Sequence, residues 1–346
     1  MPQFSTESRS LMFREAAEGA AAVERQFRAN HAAIAALAAR LREQPPRAVV
    51  TLARGSSDNA ATYAKYLIET KLGILTSSAA PSVSSVYGSK AEMKDTLLIA
   101  TSQSGKSPDI VTALKAARRA GAFTVAFVNV LDSPLAAGAD IAVPLHAGPE
   151  KSVAATKSYL ATVAAIAALV AAWSRDDALA DSLNGLPDLL AQAWELDWSA
   201  AAAKLAKVRD LYVIGRGVGF GGAQEAALKF KETCGLHAEA FSAAEVRHGP
   251  MALAQNGFPV FVLSQDDETR PGMEELVDAL AANRADILLA GFEDARALNL
   301  PALKAHPALQ PILLLQSFYR MAEQLSRSRG MNPDRPPHLN KVTETI

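Results

Sequence analysis

Short apolar runs alternate with helical patterns twice along this chain, and few folds accommodate that alternation. Runs of strand length lie at 48–53, 74–79, 96–101, 123–128 and 139–143, with helical spacing at about 57–71 and 107–120. A second series has strands near 210–215, 259–264 and 286–290 and helices near 222–235, 272–283 and 308–329. Strands separated by helices run parallel in a sheet covered on both faces, so the fold class expected is α/β with two such sheets. Residues 9–42, rich in Ala, Glu, Arg and Leu, read as one or two amphipathic helices ended by Pro45-Pro46. A helix at 156–174 and helical stretches to about 205 separate the two series. The expected organisation is a helical segment at 1–45, a first domain at 46–195, a second at 196–332 and a tail at 333–346.

Two domains and a large core are within reach of 346 residues. With 49% hydrophobic and 21% charged residues and a formal net charge of −1, the composition is that of an ordinary globular protein. Basic residues are scattered rather than interleaved with aromatics, which argues against a nucleic-acid partner. The lone cysteine, Cys234, leaves no intrachain disulfide and no cysteine cluster for a metal, and reads as a small buried residue. A reducing cytoplasm is the expected location, since MPQFSTESRS lacks the basic and apolar regions of a signal peptide. Ser158 to Trp173 is the most apolar stretch, but it is shorter than the roughly 20 residues of a membrane span and rich in alanine, so a core helix is expected and no membrane contact.

The segment DTLLIATSQSGKSPDI at 95–110 turns from a buried strand into small polar residues and then a helix, with Pro108 in the first turn. Free backbone N–H groups and the positive end of a helix dipole suit an oxyanion there, and Ser102, Ser104, Ser107 and Gln103 add side-chain donors. ATSQSGKS misses the nucleotide-binding P-loop by its first glycine, replaced by Ala100, and no strand ending in a magnesium-binding Asp accompanies it. A serine-rich turn with no ligand is the plain alternative. Leu52-Ala53-Arg54-Gly55 recurs as Ile214-Gly215-Arg216-Gly217, each before a helix, which suggests a duplication whose two strand edges face one another.

On the helix after the second copy, Glu225, Lys229 and Glu232 share one face, and a surface ladder of ion pairs is the simplest account. The next segment, HAEAFSAAEVRHGPMAL, reads as a loop crowded with His237, Glu239, Glu245 and His248, where a histidine beside Gly249-Pro250 suits acid or base work. No H-E-x-x-H or similar ligand pattern supports zinc. Lys341 is the last candidate: most terminal lysines are merely solvated, but an amine can form a Schiff base with a carbonyl substrate.

Taken in order, ARGSS at 53–57, TSQSGKSPD at 101–109, EKSVAATKSY at 150–159, GRG at 215–217 with EAALKFKE at 225–232, HAEAFSAAEVRHGPMAL at 237–253 and LNKVTETI at 339–346 resemble the sugar isomerase (SIS) family. The match is to the isomerase half of glutamine:fructose-6-phosphate aminotransferase, and above all to the isomerase-type glucosamine-6-phosphate deaminases. It implies two flavodoxin-like SIS domains, a homodimer with active sites shared between subunits, and no cofactor or metal. Carried onto matching positions, it makes Ser56, Ser57, Ser102, Gln103, Ser104 and Ser107 the phosphate cradle, and puts Val153 and Asn340 against the sugar. Glu232 would move a proton between C1 and C2 with support from Lys229, His248 of the neighbouring subunit would open the ring, and Lys341 would form the Schiff base with the open-chain ketose.

The chain departs from the aminotransferase at several positions, of which Arg54 and Lys106-Ser107-Pro108 resemble the deaminase branch. Met1-Pro2 offers no cysteine nucleophile and no glutaminase domain is expected, Arg54 stands where the aminotransferase has cysteine, Lys106-Ser107-Pro108 replaces an acidic-threonine pattern, and Asn340 replaces an alanine. The expected reaction is conversion of glucosamine 6-phosphate to fructose 6-phosphate and ammonia. Galactosamine 6-phosphate, deglycation of a sugar-phosphate amine adduct, and a non-catalytic sugar-phosphate sensor are the alternatives.

Overall fold

The computed structural model describes residues 9–341. Two helices, α1 (Leu11–Ala17) and α2 (Gly19–Glu43), lead into β1 (Ala48–Leu52), α3 (Ser56–Leu72), β2 (Thr76–Ser78), α4 (Ser82–Ser85), β3 (Thr96–Ser102), α5 (Pro108–Arg119), β4 (Phe123–Val128), α6 (Pro134–Gly138) and β5 (Ile141–Pro144). Four helices follow, α7 (Lys157–Ser174), α8 (Asp177–Asn184), α9 (Leu186–Glu195) and α10 (Ser199–Leu205). The second series is β6 (Asp210–Gly215), α11 (Phe220–Cys234), β7 (His237–Ser242), β8 (Pro259–Leu263), α12 (Arg270–Ala282), β9 (Asp286–Ala290), β10 (Leu298–Leu300) and α13 (Gln310–Ser328).

Each series forms a five-stranded sheet, in the orders β2-β1-β3-β4-β5 and β7-β6-β8-β9-β10, and every described strand pair is parallel. Both orders put the second strand at an edge beside the first, with the direction of winding reversing between the first and third; this is the flavodoxin-like order. The central strands carry continuous apolar runs because both faces are covered. One apolar core runs through both halves, joining Leu97, Ile99 and Phe127 of the first sheet to Val213, Phe261 and Leu288 of the second through α7 and α13. Smaller clusters cover the outer faces, under α5 in the first half and under α12 in the second. Helix α7 has the length and apolar character of a membrane span, yet 83% of it is buried inside the protein, chiefly against α2 and α3.

Three features differ from the reading of the sequence. His237–Ser242 is a strand rather than loop, pairing with β6 from Asp210↔His237 to Gly215↔Ser242. It is an edge strand whose His237 and Glu239 are exposed, so the apolar run that marks a central strand is missing. The three-residue β10 and the short α4 and α6 carry too little periodicity to be recognised. The carboxyl edges of the two sheets also do not face each other. Instead α3 and α11, the first helices of the two halves, pack side by side in opposite directions: Gly221 lies against Asn59 and Tyr63, Glu225 bonds Asn59 and Lys229 bonds Ser56. A Cβ on Gly221 would stand 2.5 Å from the Asn59 carbonyl oxygen, so glycine allows the two backbones to meet.

Candidate active site

In the first sheet the winding reverses between β1 and β3, and the turns that follow these strands lie side by side there, where parallel sheets hold ligands. Ser56 and Ser57 open α3, and Ser102, Gln103, Ser104 and Ser107 line the turn between β3 and α5. Thr101 Oγ1 donates to the Ser57 carbonyl at 3.0 Å and ties the two turns together. Ser102 Oγ accepts from the Gly105 N–H at 2.9 Å and closes the second turn, with Gly105 at φ 65°, a conformation glycine adopts without strain. Ser107 occupies the N-cap of α5, yet its hydroxyl accepts no bond from that helix, which leaves the site open to an anion. Arg54, on the first turn, donates through Nε and Nη2 to Oδ2 of the buried Asp109 at 2.9 and 2.8 Å and clamps the two turns. Lys106 is exposed.

The equivalent turn of the second sheet, after β8, is unsuited to an anion. It carries Asp266, Asp267 and Glu268, and the Asp267 carboxylate already takes the Thr269 N–H at 2.9 Å. Gln265 folds back to donate to the Arg216 carbonyl at 2.8 Å.

What the second half contributes is α11. Glu225 and Lys229 are fully buried, so they are no surface ladder; Glu232 is 22% exposed. Lys229 Nζ donates to Glu232 Oε2 at 2.7 Å and to Ser56 Oγ at 2.9 Å, and it lies 3.1 Å from Glu225 Oε1. A side chain of one half is thereby bonded both to the candidate base and to Ser56 of the candidate anion-binding turns of the other. Burial works against the charge of Lys229, but the Glu225 and Glu232 carboxylates outweigh it and raise its pKa. Burial pushes Glu225 up, opposed by Lys229 and by the Asn59 amide.

Lys341 approaches from the tail. Asp334 accepts the N–H groups of Leu11 and Met12, both at 2.8 Å, which pins the tail to the start of α1. Lys341 Nζ then reaches Glu150 Oε2 at 3.4 Å. Glu150, buried, also takes the N–H groups of Thr156 and Ser158 at 3.0 and 3.2 Å and the Ser158 hydroxyl at 2.5 Å. Glu15 holds the same loop from α1 by accepting Lys151 N and Ser152 N at 2.5 and 3.0 Å, so Val153 sits in a braced turn. Tyr319 joins this group to α11: burial raises its hydroxyl well above the usual phenol range, and Glu225, Tyr159 and Glu150 add to the effect. Asn340 is exposed beside Lys341.

His248 does not join them within one chain. Glu232 lies at the end of α11 that adjoins the start of β7, whereas His248 follows the far end of that six-residue strand, roughly 20 Å away. Its neighbours Val246 and Arg247 pack with the α12 side of the sheet, Arg247 3.6 Å from Glu275. A recess of about 840 Å³ beside β1 and β3 is lined by none of these groups. Reading the sequence passed over Glu150, Glu15, Asn59 and Tyr319. Only Glu150 had a signal, as the first residue of the EKSVAATKSY block. Cys234 is buried and its thiol is pushed up to about 11, as an inert core residue requires.

The SIS domain model matches residues 44–172 and 204–295, one match over each sheet. The chain belongs to the SIS family. Among curated relatives, the glutamine–fructose-6-phosphate aminotransferase (isomerizing) of Methanothermobacter thermautotrophicus is 34% identical over 84% of this chain and 50% of its own length. This SIS chain thus spans about half the length of the curated relatives it matches. A candidate phosphosugar isomerase from Silicibacter pomeroyi superposes with a TM-score of 0.89 at 40% identity, covering 94% of this chain and 100% of that one. The glucosamine-6-phosphate deaminase of Thermotoga maritima superposes with a TM-score of 0.77 at 21% identity, covering 97% and 100%, and shows the fold alone.

Proposed function

We propose that this protein is a glucosamine-6-phosphate deaminase, converting glucosamine 6-phosphate to fructose 6-phosphate and ammonia at a site that draws on both halves of the chain. The observation that carries the reading is Lys229, bonded at once to Glu232 and to Ser56. A group holding the candidate base is fixed against the cradle that would hold the substrate's phosphate, so binding energy from the phosphate positions C1 and C2 at the carboxylate.

In this reading the cradle of Ser56, Ser57, Ser102, Gln103, Ser104 and Ser107 anchors the phosphate, while Val153 and Asn340 border the sugar. His248, from a second copy, opens the pyranose. Glu232 takes the proton from C2 of the open-chain aldehyde and returns it to C1, which leaves an imine at C2. The Lys341 amine displaces ammonia from that imine, and water then cleaves the lysine Schiff base to release fructose 6-phosphate and restore the amine. The separation of His248 from Glu232 within one chain supports a homodimer with shared sites. No cofactor or metal enters, and a cytoplasmic location belongs to the same proposal.

The test is a coupled assay for ammonia and fructose 6-phosphate with glucosamine 6-phosphate, with galactosamine 6-phosphate in parallel. Turnover of the first and loss of at least about 10²-fold in Glu232→Gln are expected. Tight binding of the sugar phosphate with no turnover would replace the enzyme by a sensor.

A further inference from the structure

Glu225 is the one buried carboxylate of the α11 cluster that the mechanism above does not use. It carries no exposed surface, and each of its contacts is with a donor. Oε2 takes the Asn59 amide at 2.9 Å, and Oε1 takes the Tyr319 hydroxyl at 3.1 Å and lies 3.1 Å from Lys229 Nζ. The Lys229 ammonium and the Asn59 amide N–H can only donate, and the Tyr319 hydroxyl donates as well, so the arrangement suits a carboxylate. Lys229 is equally fully used: its three N–H bonds meet Glu225, Glu232 and Ser56.

We propose that Glu225 is a positioning residue that acts through Lys229: its carboxylate neutralises the buried ammonium, so that Glu232, bonded to the same nitrogen, stays basic enough to accept a proton. The inference rests on the role of Glu232 stated above. Without Glu225 an uncompensated cation would sit 2.7 Å from Glu232 Oε2, and an opposite charge that close holds a carboxylate in its ionised form and weakens it as a base. Losing the like charge of Glu225 acts on Glu232 in the same direction. Among the described residues the surroundings supply no substitute charge. From α3 come Ser56, Asn59 and Tyr63, from α7 Tyr159 and from α13 Tyr319; Glu150, the nearest other carboxylate acting on Tyr319, is engaged with Ser158 and Lys341. Burial and Glu225 raise Tyr159 and Tyr319 far above the usual phenol range, so both stay neutral at working pH.

The experiment is a carbon-13 titration of the Glu232 carboxyl in full-length protein, assigned with Glu232→Gln, in the wild type and in Glu225→Gln. It needs no substrate. The midpoint of Glu232 is expected to fall by about one pH unit in Glu225→Gln, with a parallel shift of the acid limb of kcat/KM for glucosamine 6-phosphate and a several-fold lower kcat. An unchanged or higher midpoint in a folded variant overturns the proposal. Where Glu225→Gln does not fold, the double variant Lys229→Met/Glu225→Gln carries the test, because it leaves no unpaired buried charge. There Glu232 should titrate within about half a unit of wild type, since neither charge acts on it; a midpoint more than about one unit above wild type means that Glu225 was not offsetting Lys229 and overturns it. A wild type that turns over no amino-sugar phosphate but shows the expected shift rejects the deaminase reading and leaves this one standing.

Discussion

Lys229 gathers two carboxylates and a serine around one nitrogen, and what each residue of the site does follows from which end of the substrate it would meet. In the proposed reading Ser104 belongs to the anchoring end. Its hydroxyl accepts the Lys106 N–H at 3.3 Å, a long bond that a phosphate oxygen readily displaces. Its removal should weaken substrate and transition state alike. Ser104→Ala is therefore expected to raise KM about 10-fold with little change in kcat, read from steady-state kinetics of ammonia release. A fall in kcat at unchanged KM would assign Ser104 to the chemistry instead. The cradle serines were legible in the sequence because strand, small polar residues and Pro108 make a local pattern. Glu225 was not: spacings of three and four residues describe a buried triad and a solvated ladder equally well, and only the packing of α3 and α13 against α11 separates them.

Between elements, the contact that decides the site is the antiparallel pairing of α3 with α11. Gly221 sets its distance, because the Asn59 carbonyl and the Tyr63 nitrogen, backbone atoms that cannot swing away, stand 2.5 and 2.9 Å from where a Cβ would be. Gly221→Ala should push the helices apart at about 1–3 kcal/mol of stability, measurable by urea unfolding. It should also lower turnover, since Glu232 and Ser56 are joined across this contact through Lys229. Stability and turnover both at wild-type level would mean that the helices adjust without cost. The strands of both sheets were legible wherever two covered faces produce an unbroken apolar run, as at Leu97–Ala100 and Val260–Leu263. The edge strand β7 was not, because its exposed His237 and Glu239 resemble loop composition, and neither was the relative direction of the halves, which depends on a helix contact about 160 residues apart in sequence.

On the scale of the whole molecule, two sheets of the same strand order share one core, but among the described residues only the first sheet has a turn suited to an anion, since the turn after β8 is acidic and closed on itself by Asp267 and Gln265. In the proposed reading each chain then has one site among its described residues, and His248 stands apart from it, beyond the far end of β7 on the α12 side. If a second copy supplies it, Glu232→Gln and His248→Ala damage different sites of a mixed dimer. One of its two sites then carries both substitutions and the other carries neither. Each variant alone should be nearly inactive, whereas unfolding and refolding an equal mixture should restore about a quarter of wild-type activity, because random pairing makes half the dimers mixed and each has one intact site. A site built within one chain contains one substitution or the other in every copy, and mixing then restores nothing. The assay separates the two arrangements by presence or absence of signal, and a monomeric elution at assay concentration would remove the shared site independently.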